Sequence, residues 1–488
     1  MEPSEEINLE TVKSRAVRGV VVLTGRTFIL QVIGVVAQGV LWAYLSPAQF
    51  GVFFIVGAII NFLTYFSDIG LAAALIQKKE APSGDELKTT FFVQQVLVLA
   101  LIAVVVLLAP FFAARYSLNF EGKILLYALA LSFFLSSLKS IPSVLLERKL
   151  EFGKLVMSQV LEQLVYNLVL VFFAVQGFGL RSFSWAVVIR GIIGLVAIYI
   201  LQPWKPGIIF SRSSLSGLLK FGVPYQINTF LATLKDDGMI LVLGSLLGPA
   251  GIGILGTAQK LAQYPLRFFM DNVTRVTFPA FSRMQNEKEH LARSVTRSIF
   301  FICFLVFPSI TGMVILLPNI IQVVPSYARW APALLPFAII SLNTLFAAVT
   351  TQLTNLLNAI GKIKITFFLM IMWTVLTWVF VPALAWKFGV NGAALGYSFV
   401  GLSSVVVMYI VHKYVKYSLF NGVVKPGLSA LVMAGSMLLL RDILPITIYS
   451  VGILILVGMG VYGVTSFIIL GDSLVTDVKK SLTTLFQR

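Results

Sequence analysis

"TTFFVQQVLVLALIAVVVLLAPFFA" (residues 89–113) runs for 25 positions without a charged side chain. As a helix rising about 1.5 Å per residue it would reach about 37 Å, longer than the roughly 30 Å hydrocarbon layer of a bilayer. Fourteen such runs recur, from the first near 16–44 to the last near 446–470, and no loop between them is long enough to form a domain. The chain of 488 residues is 58% hydrophobic and 12% charged, where a soluble domain carries about 25% charge. The expected fold is therefore all-α and polytopic, with about fourteen transmembrane helices and its function lodged in those helices or at their ends.

Several classes of function fall away on composition. The formal charge of +17 does not gather into a stripe or a basic tail, which argues against a nucleic-acid partner. Cys303 is the one cysteine and lies in an apolar run, while His290 and His412 are expected in separate loops between spans, so no metal centre or cofactor is expected. With the N-terminus placed inside, 24 of the 37 basic residues fall in cytoplasmic segments, 6 outside and 7 within spans. That bias predicts both termini in the cytoplasm. "MEPSEEINLETVKSR" (1–15) lacks the apolar core of a cleavable leader, so the first span is expected to act as an uncleaved signal-anchor.

The sequence also repeats. "LSPAQFGVFF" (45–54) resembles "LGPAGIGILG" (247–256), residue 46 aligning with 248 at an offset of 202. "GFGLRSFSWAVVIRG" (177–191) resembles "KFGVNGAALGYSFVG" (387–401), residue 179 aligning with 389 at an offset of 210. Both offsets cross an even number of spans, so the halves should share one orientation. The expectation is two pseudo-symmetric six-helix lobes, 1–205 and 206–418, followed by two extra C-terminal helices and a cytoplasmic tail over 419–488.

A charge at the centre of a membrane helix costs roughly 2.5–3.5 kcal/mol on insertion scales, so those that remain there call for an explanation. The basic ones are Arg26, Lys139, Arg190, Lys235, Lys260, Arg267 and Arg275; the acids are Asp68, Glu162, Asp236, Asp237 and Asp271. In the seventh span (215–247), a uniform turn of about 100° per residue places Lys235, Asp236 and Asp237 in one polar arc about 200° wide, with neighbours in sequence pointing apart. In the eighth (250–282), Lys260, Tyr264, Arg267, Asp271 and Arg275 form a single stripe, with Asp271 able to pair with either flanking arginine. Arg26 shares a polar arc of the first span with Gln31 and Gln38. Glu162 lies on a polar face of the fifth (155–176), where Lys139 could meet it in a structural or a functional ion pair. Arg190 sits too deep to reach either interface. Arg26, Arg190, Lys235, Lys260 and Arg267 are the candidates for an anion such as a diphosphate. Asp236, Asp237, Glu162 and Asp271 are candidates for counter-charges or an ion-coupling site. Prolines at 224, 265, 279, 308 and 336 predict kinks in the second lobe.

Against this background "SPAQFGVFFIVGAIINFLTYFSDIGLAAALIQKKE" (46–80) resembles the signature of bacterial polysaccharide exporters. "ERKLEFGKL" (147–155) and "TRVTFPAFSRMQNE" (274–287) resemble later segments of the colanic-acid-exporter branch. The resemblance is to the multidrug/oligosaccharidyl-lipid/polysaccharide exporter superfamily, and within it to the Wzx-type flippases. It implies two lobes around a central cationic cavity, and Asp68 and Gly70 as signature positions of a structural kind. It also implies export of undecaprenyl-diphosphate-linked oligosaccharide from the cytoplasmic to the outer leaflet by alternating access, in the bacterial inner membrane. The drive would be a proton or sodium gradient or the membrane potential. The expected partners are the lipid-linked substrate, membrane lipids, and a polysaccharide polymerase with its chain-length machinery; the expected state is a monomer. A peptidoglycan-precursor flippase or a multidrug exporter of the same superfamily remains an alternative. A membrane glycosyltransferase or ligase is disfavoured by the short external loops, so the chain is not expected to be an enzyme.

Overall fold

The computed structural model describes Gly25 and residues 29–470, apart from some side chains within 221–232 and those of Asn272 and Leu470. Arg26 lies outside the described residues. Every regular element among them is helical: α1 (Ile29–Tyr44), α2 (Pro47–Thr64), α3 (Leu71–Gln77), α4 (Gly84–Arg115), α5 (Phe120–Leu138), α6 (Ser140–Arg148), α7 (Phe152–Val175), α8 (Arg181–Leu201), α9 (Arg212–Thr233), α10 (Met239–Arg283), α11 (Lys288–Val323), α12 (Leu334–Ala359), α13 (Ile363–Leu402), α14 (Ser404–Tyr414), α15 (Lys425–Ile443) and α16 (Ile448–Leu470). Two compact units divide between Gly253 and Ile254.

Eleven helical stretches among the described residues are long and apolar enough to cross a membrane. The expected fourteen does not emerge as that count, because helical runs and crossings are not one to one. The stretch Ile363–Tyr414 has 52 residues, far beyond a single crossing, and bends at Gly389 (φ 61°). The stretch Leu234–Asp271 likewise passes through Gly248 (φ 67°, ψ 179°). These two glycines carry the only non-helical dihedrals inside helices among the described residues. At both, a positive φ has no Cβ to oppose it, and Pro308 lies inside α11.

The second of the fourteen apolar runs, near residues 48–76, is likewise not one rod. Helix α2 begins with a capping box, Ser46 accepting from the Gln49 amide while the Gln49 side chain accepts from the Ser46 amide, and with Pro47 in its first turn. It ends at Thr64. Ile69 (φ 47°) and Gly70 (φ 73°) turn the chain, and α3 then starts afresh. Asp68 accepts from the Ala72 amide at 3.1 and 3.2 Å and from the Gln94 side chain, tying this turn to α4. A Cβ at Gly70 would run into the backbone of Gly222 on α9. Both signature positions thus hold backbone together.

The repeat has a physical counterpart. A side chain on Gly51 would overlap the Pro249 carbonyl, and one on Gly253 would overlap the Pro47 carbonyl. The two contacts are related by the 202-residue offset, so the first turns of α2 and of the post-Gly248 part of α10 cross reciprocally, each proline carbonyl against the other segment's glycine. The 210-residue offset is equally concrete: Gly179 (φ 56°) and Gly389 (φ 61°) both turn the chain in the left-handed region.

In the first unit, Leu71, Leu75, Leu87, Phe91, Ile141 and Leu218 make one apolar core. In the second, Phe281, Val295, Ile299, Leu353, Leu356 and Val411 make another. Outside these cores, exposed Leu, Ile and Phe side chains cover much of α4, α15 and α16. An apolar surface on that scale suits lipid as solvent.

Candidate functional site: an ion-bridged cavity in the first unit

A cavity of about 310 Å³ opens between α5, α6, α7 and α8. Its charged lining is Lys139, Glu162 and Arg190, a surplus of one positive charge, and its neutral polar lining includes four serines and two glutamines. Lys139 caps the C-terminus of α5 at the elbow into α6. Ser158, Gln159, Glu162 and Gln163 fall on one face of α7 by their spacing. Arg190 and Gly194 stand one turn apart on α8.

The glutamate organises the site. Glu162 Oε1 lies 2.8 Å from Lys139 Nζ, and Oε2 lies 3.7 Å from Arg190 Nε. A Cβ at position 194 would overlap the Glu162 carboxyl group, so Gly194 makes the room that lets the acid reach across to α8. The Arg190 guanidinium also sits 5.7 Å from the centre of the Tyr166 ring, within cation–π range. Burial differs across the three: the Lys139 and Glu162 side chains are 14% and 11% exposed, that of Arg190 44%. The closer pair is thus a buried ion pair, and Arg190 is the cation left accessible from the cavity. Gln159 Oε1 is buried with no hydrogen-bond partner among the described residues, and Tyr199 donates to the Leu138 carbonyl at 3.1 Å, fastening α8 to the α5 elbow.

Of the residues predicted from sequence, the structure brings Glu162 and Arg190 together with Lys139. The serines and Gly194 escaped that reading. Ser136, Ser140 and Ser143 stand at i, i+4 and i+7, a spacing that would have put them on one face had the α5–α6 elbow been ignored.

The Lys235–Asp236–Asp237 cluster is arranged differently from the uniform wheel. Leu234–Gly238 forms one turn of π-helix between α9 and α10, and its extra residue shifts the phase on either side, so an arc computed at constant pitch does not carry through it. Lys235 Nζ lies 3.5 Å from Asp236 Oδ1, so these adjacent charges do meet, contrary to the expectation from an ideal helix. Asp237 turns instead to the Asn61 side chain on α2. In the second unit, Lys260, Arg267 and Asp271 are exposed along α10, and among the described residues no ion pair joins Asp271 to Arg267.

The chain matches the family of polysaccharide biosynthesis proteins over residues 40–335, more than half its length. It belongs to that family. It is 25% identical over 401 residues to the lipopolysaccharide biosynthesis protein WzxC of Escherichia coli (strain K12), covering 79% of this chain and 78% of the relative. It is 22% identical over 307 residues to the succinoglycan biosynthesis transport protein ExoT of Rhizobium meliloti (strain 1021), covering 63% and 61%. Among solved structures, the lipid II flippase MurJ in an inward closed conformation superposes with a TM-score of 0.74 at 19% identity, over 93% of this chain and 99% of the other. An inward-facing multidrug resistance MATE family transporter of the MOP superfamily gives 0.59 at 15% identity, over 80% and 98%. At these identities the structural likeness establishes the fold, that of the MOP transporters.

Proposed function

We propose that this member of the polysaccharide biosynthesis family is a flippase that moves a polyprenyl-diphosphate-linked oligosaccharide from the cytoplasmic to the outer leaflet of a bacterial inner membrane by alternating access. The observation that carries the reading is a cavity with surplus positive charge buried in a membrane-type helical unit. The repeat sharpens it. Aligned at the 210-residue offset, Arg190 corresponds to Val400 and Gly191 to Gly401. Gly191 packs against Leu135 and Gly401 against Asn343, and the equivalent helix pair of the second half has no acidic residue with which to form an ion pair. The packing of this motif therefore does not require the Lys139–Glu162–Arg190 triad, and a ligand supplies a reason for it.

In this reading Arg190 takes an oxygen of the diphosphate through the guanidinium nitrogens that Glu162 does not engage, while Glu162 remains with Lys139. Arg26, Lys235, Lys260 and Arg267 are further anion contacts along the route. Asp236, Asp237 and Asp271 serve as counter-charges or as the site of a coupling proton or sodium ion. Both termini are cytoplasmic, and the chain works as a monomer alongside a polymerase and chain-length machinery, carrying out no covalent step itself.

Arg190→Gln should lower translocation of a lipid-linked oligosaccharide in proteoliposomes by about ten- to hundredfold, the worth of one charge-assisted hydrogen bond. The fold should survive, since Glu162 keeps Lys139 at 2.8 Å. Flux measured under imposed proton, sodium and potential gradients tests the proposal, and wild-type protein that is folded yet moves no substrate under any of them would overturn it. Equal transport of a peptidoglycan precursor would favour the alternative of a broader lipid-diphosphate flippase.

A further inference from the structure

We propose that the second unit carries a binding site for an anionic glycerophospholipid headgroup, built from lysines and aromatic rings where α13 begins, α14 ends and α15 begins. The sequence contains no aspartate or glutamate from His290 to Arg441. Within that acid-free stretch, Lys362, Lys364, Lys413, Lys416 and Lys425 cluster in two short segments.

The structure folds these segments together. Lys362, at the start of α13, sits over the ring of Tyr414 at the end of α14, 5.4 Å from its centre. Lys413 lies 4.4 Å from the centre of the Tyr409 ring, and Lys425 6.0 Å from that of Phe420. The intervening loop is fastened to α11, Ser418 donating its amide to Thr296 Oγ1 at 3.0 Å. Lys362, Lys413 and Lys425 are therefore each set against a ring, and among the described residues none of the five lysines has a carboxylate partner.

Two features select a lipid over a soluble anion. Tyr409 is 64% exposed and Phe420 58% exposed, next to the charges they support. Rings that present an apolar body beside a cationic tip suit the boundary between acyl chains and headgroups. On the topology proposed above, this boundary is the cytoplasmic one, whose anionic lipids attract basic juxtamembrane groups. The ligand chemistry is a phosphodiester with an acyl chain beside it, and phosphatidylglycerol or cardiolipin meets it.

The test uses the full chain in a non-ionic detergent, titrated with phosphatidylglycerol, cardiolipin or phosphatidylcholine of matched acyl chains, with bound lipid read by native mass spectrometry. Phosphatidylglycerol should bind at least about tenfold more tightly than phosphatidylcholine, and the triple variant K362Q/K413Q/K425Q should lose about hundredfold, at about fivefold per lysine. Lys387→Gln, which removes a lysine beside the Gly389 bend of α13, a membrane-length run away from Lys362, should stay within about twofold of wild type by the same reckoning. Equal binding of phosphatidylglycerol by the wild type and a folded triple variant overturns the proposal. Should the triple variant not fold, salt decides on wild type alone: raising it from about 0.1 M to 1 M should weaken phosphatidylglycerol and leave phosphatidylcholine unchanged. An affinity that ignores salt overturns the proposal. A short-chain prenyl diphosphate bound about tenfold more tightly than cardiolipin, a factor well outside equal electrostatics, would also overturn it and reassign the site to the transported lipid.

Discussion

Gly253→Val is expected to abolish recovery of folded protein, and Gly51→Val to do the same. Overpacking a core usually costs about 1–3 kcal/mol because side chains can rotate away. Here the obstructing atoms are the carbonyls of Pro47 and Pro249, each fixed in the first turn of a helix. Neither can move without separating the two crossing segments. Gly57→Ala, on the same helix as Gly51, is the control: nothing lies within 4 Å of its Cβ position. There the substitution should be neutral or raise stability by up to about 1 kcal/mol, since alanine is the better helix former. Fluorescence-detected gel filtration of the three variants reads the outcome directly. A monodisperse Gly253→Val peak at wild-type yield would show that the crossing is not obligatory.

Glu162→Gln should be the most damaging single change in the cavity. It leaves the Lys139 ammonium, 14% exposed, with no compensating charge. Breaking a buried pair from one side costs about 3–5 kcal/mol. Arg190 adds little to that figure, because its 44% exposed side chain can relax into water. Removing both members of the closer pair, Lys139→Met with Glu162→Gln, should recover most of the loss, since two uncharged side chains leave no stranded ion. Unfolding in mixed micelles gives the four corners of the cycle. If Glu162→Gln unfolds at the same point as wild type, the pair does not hold α5 to α7.

The repeat shows where sequence reasoning reaches. The segments at 45–54 and 247–256 were recognisable as equivalents because a Pro–Ala step and a glycine four residues after the proline recur in both. What that pattern is for was not legible. The glycines are required by a crossing between segments 202 positions apart, and no local propensity reports such a contact. Span 48–76 was readable as apolar but not as broken, since Ile69 looks like any membrane residue until its φ of 47° is seen. The Lys235–Asp236–Asp237 cluster was visible as an anomaly. Its geometry is not legible in sequence, because one π-helical turn breaks the constant pitch that relates residue spacing to direction.

The cavity divides the same way. Glu162 and Arg190 stood out because charges in apolar helices are expensive, and a match between Lys139 and Glu162 could be argued from depth alone. Gly194 could not be found, because a glycine among small and apolar residues carries no sign of the carboxylate that will occupy its missing side chain.

By itself, then, the sequence determined the solvent, the helical class, the internal duplication and which charges needed explaining. All of these follow from composition and periodicity, which the covalent chain carries locally. Tertiary structure alone decided which cation meets the acid, which glycines are obligatory, where the helices break and which lysines share a cradle. Those depend on distances between segments far apart in the chain, and only the packed fold sets them.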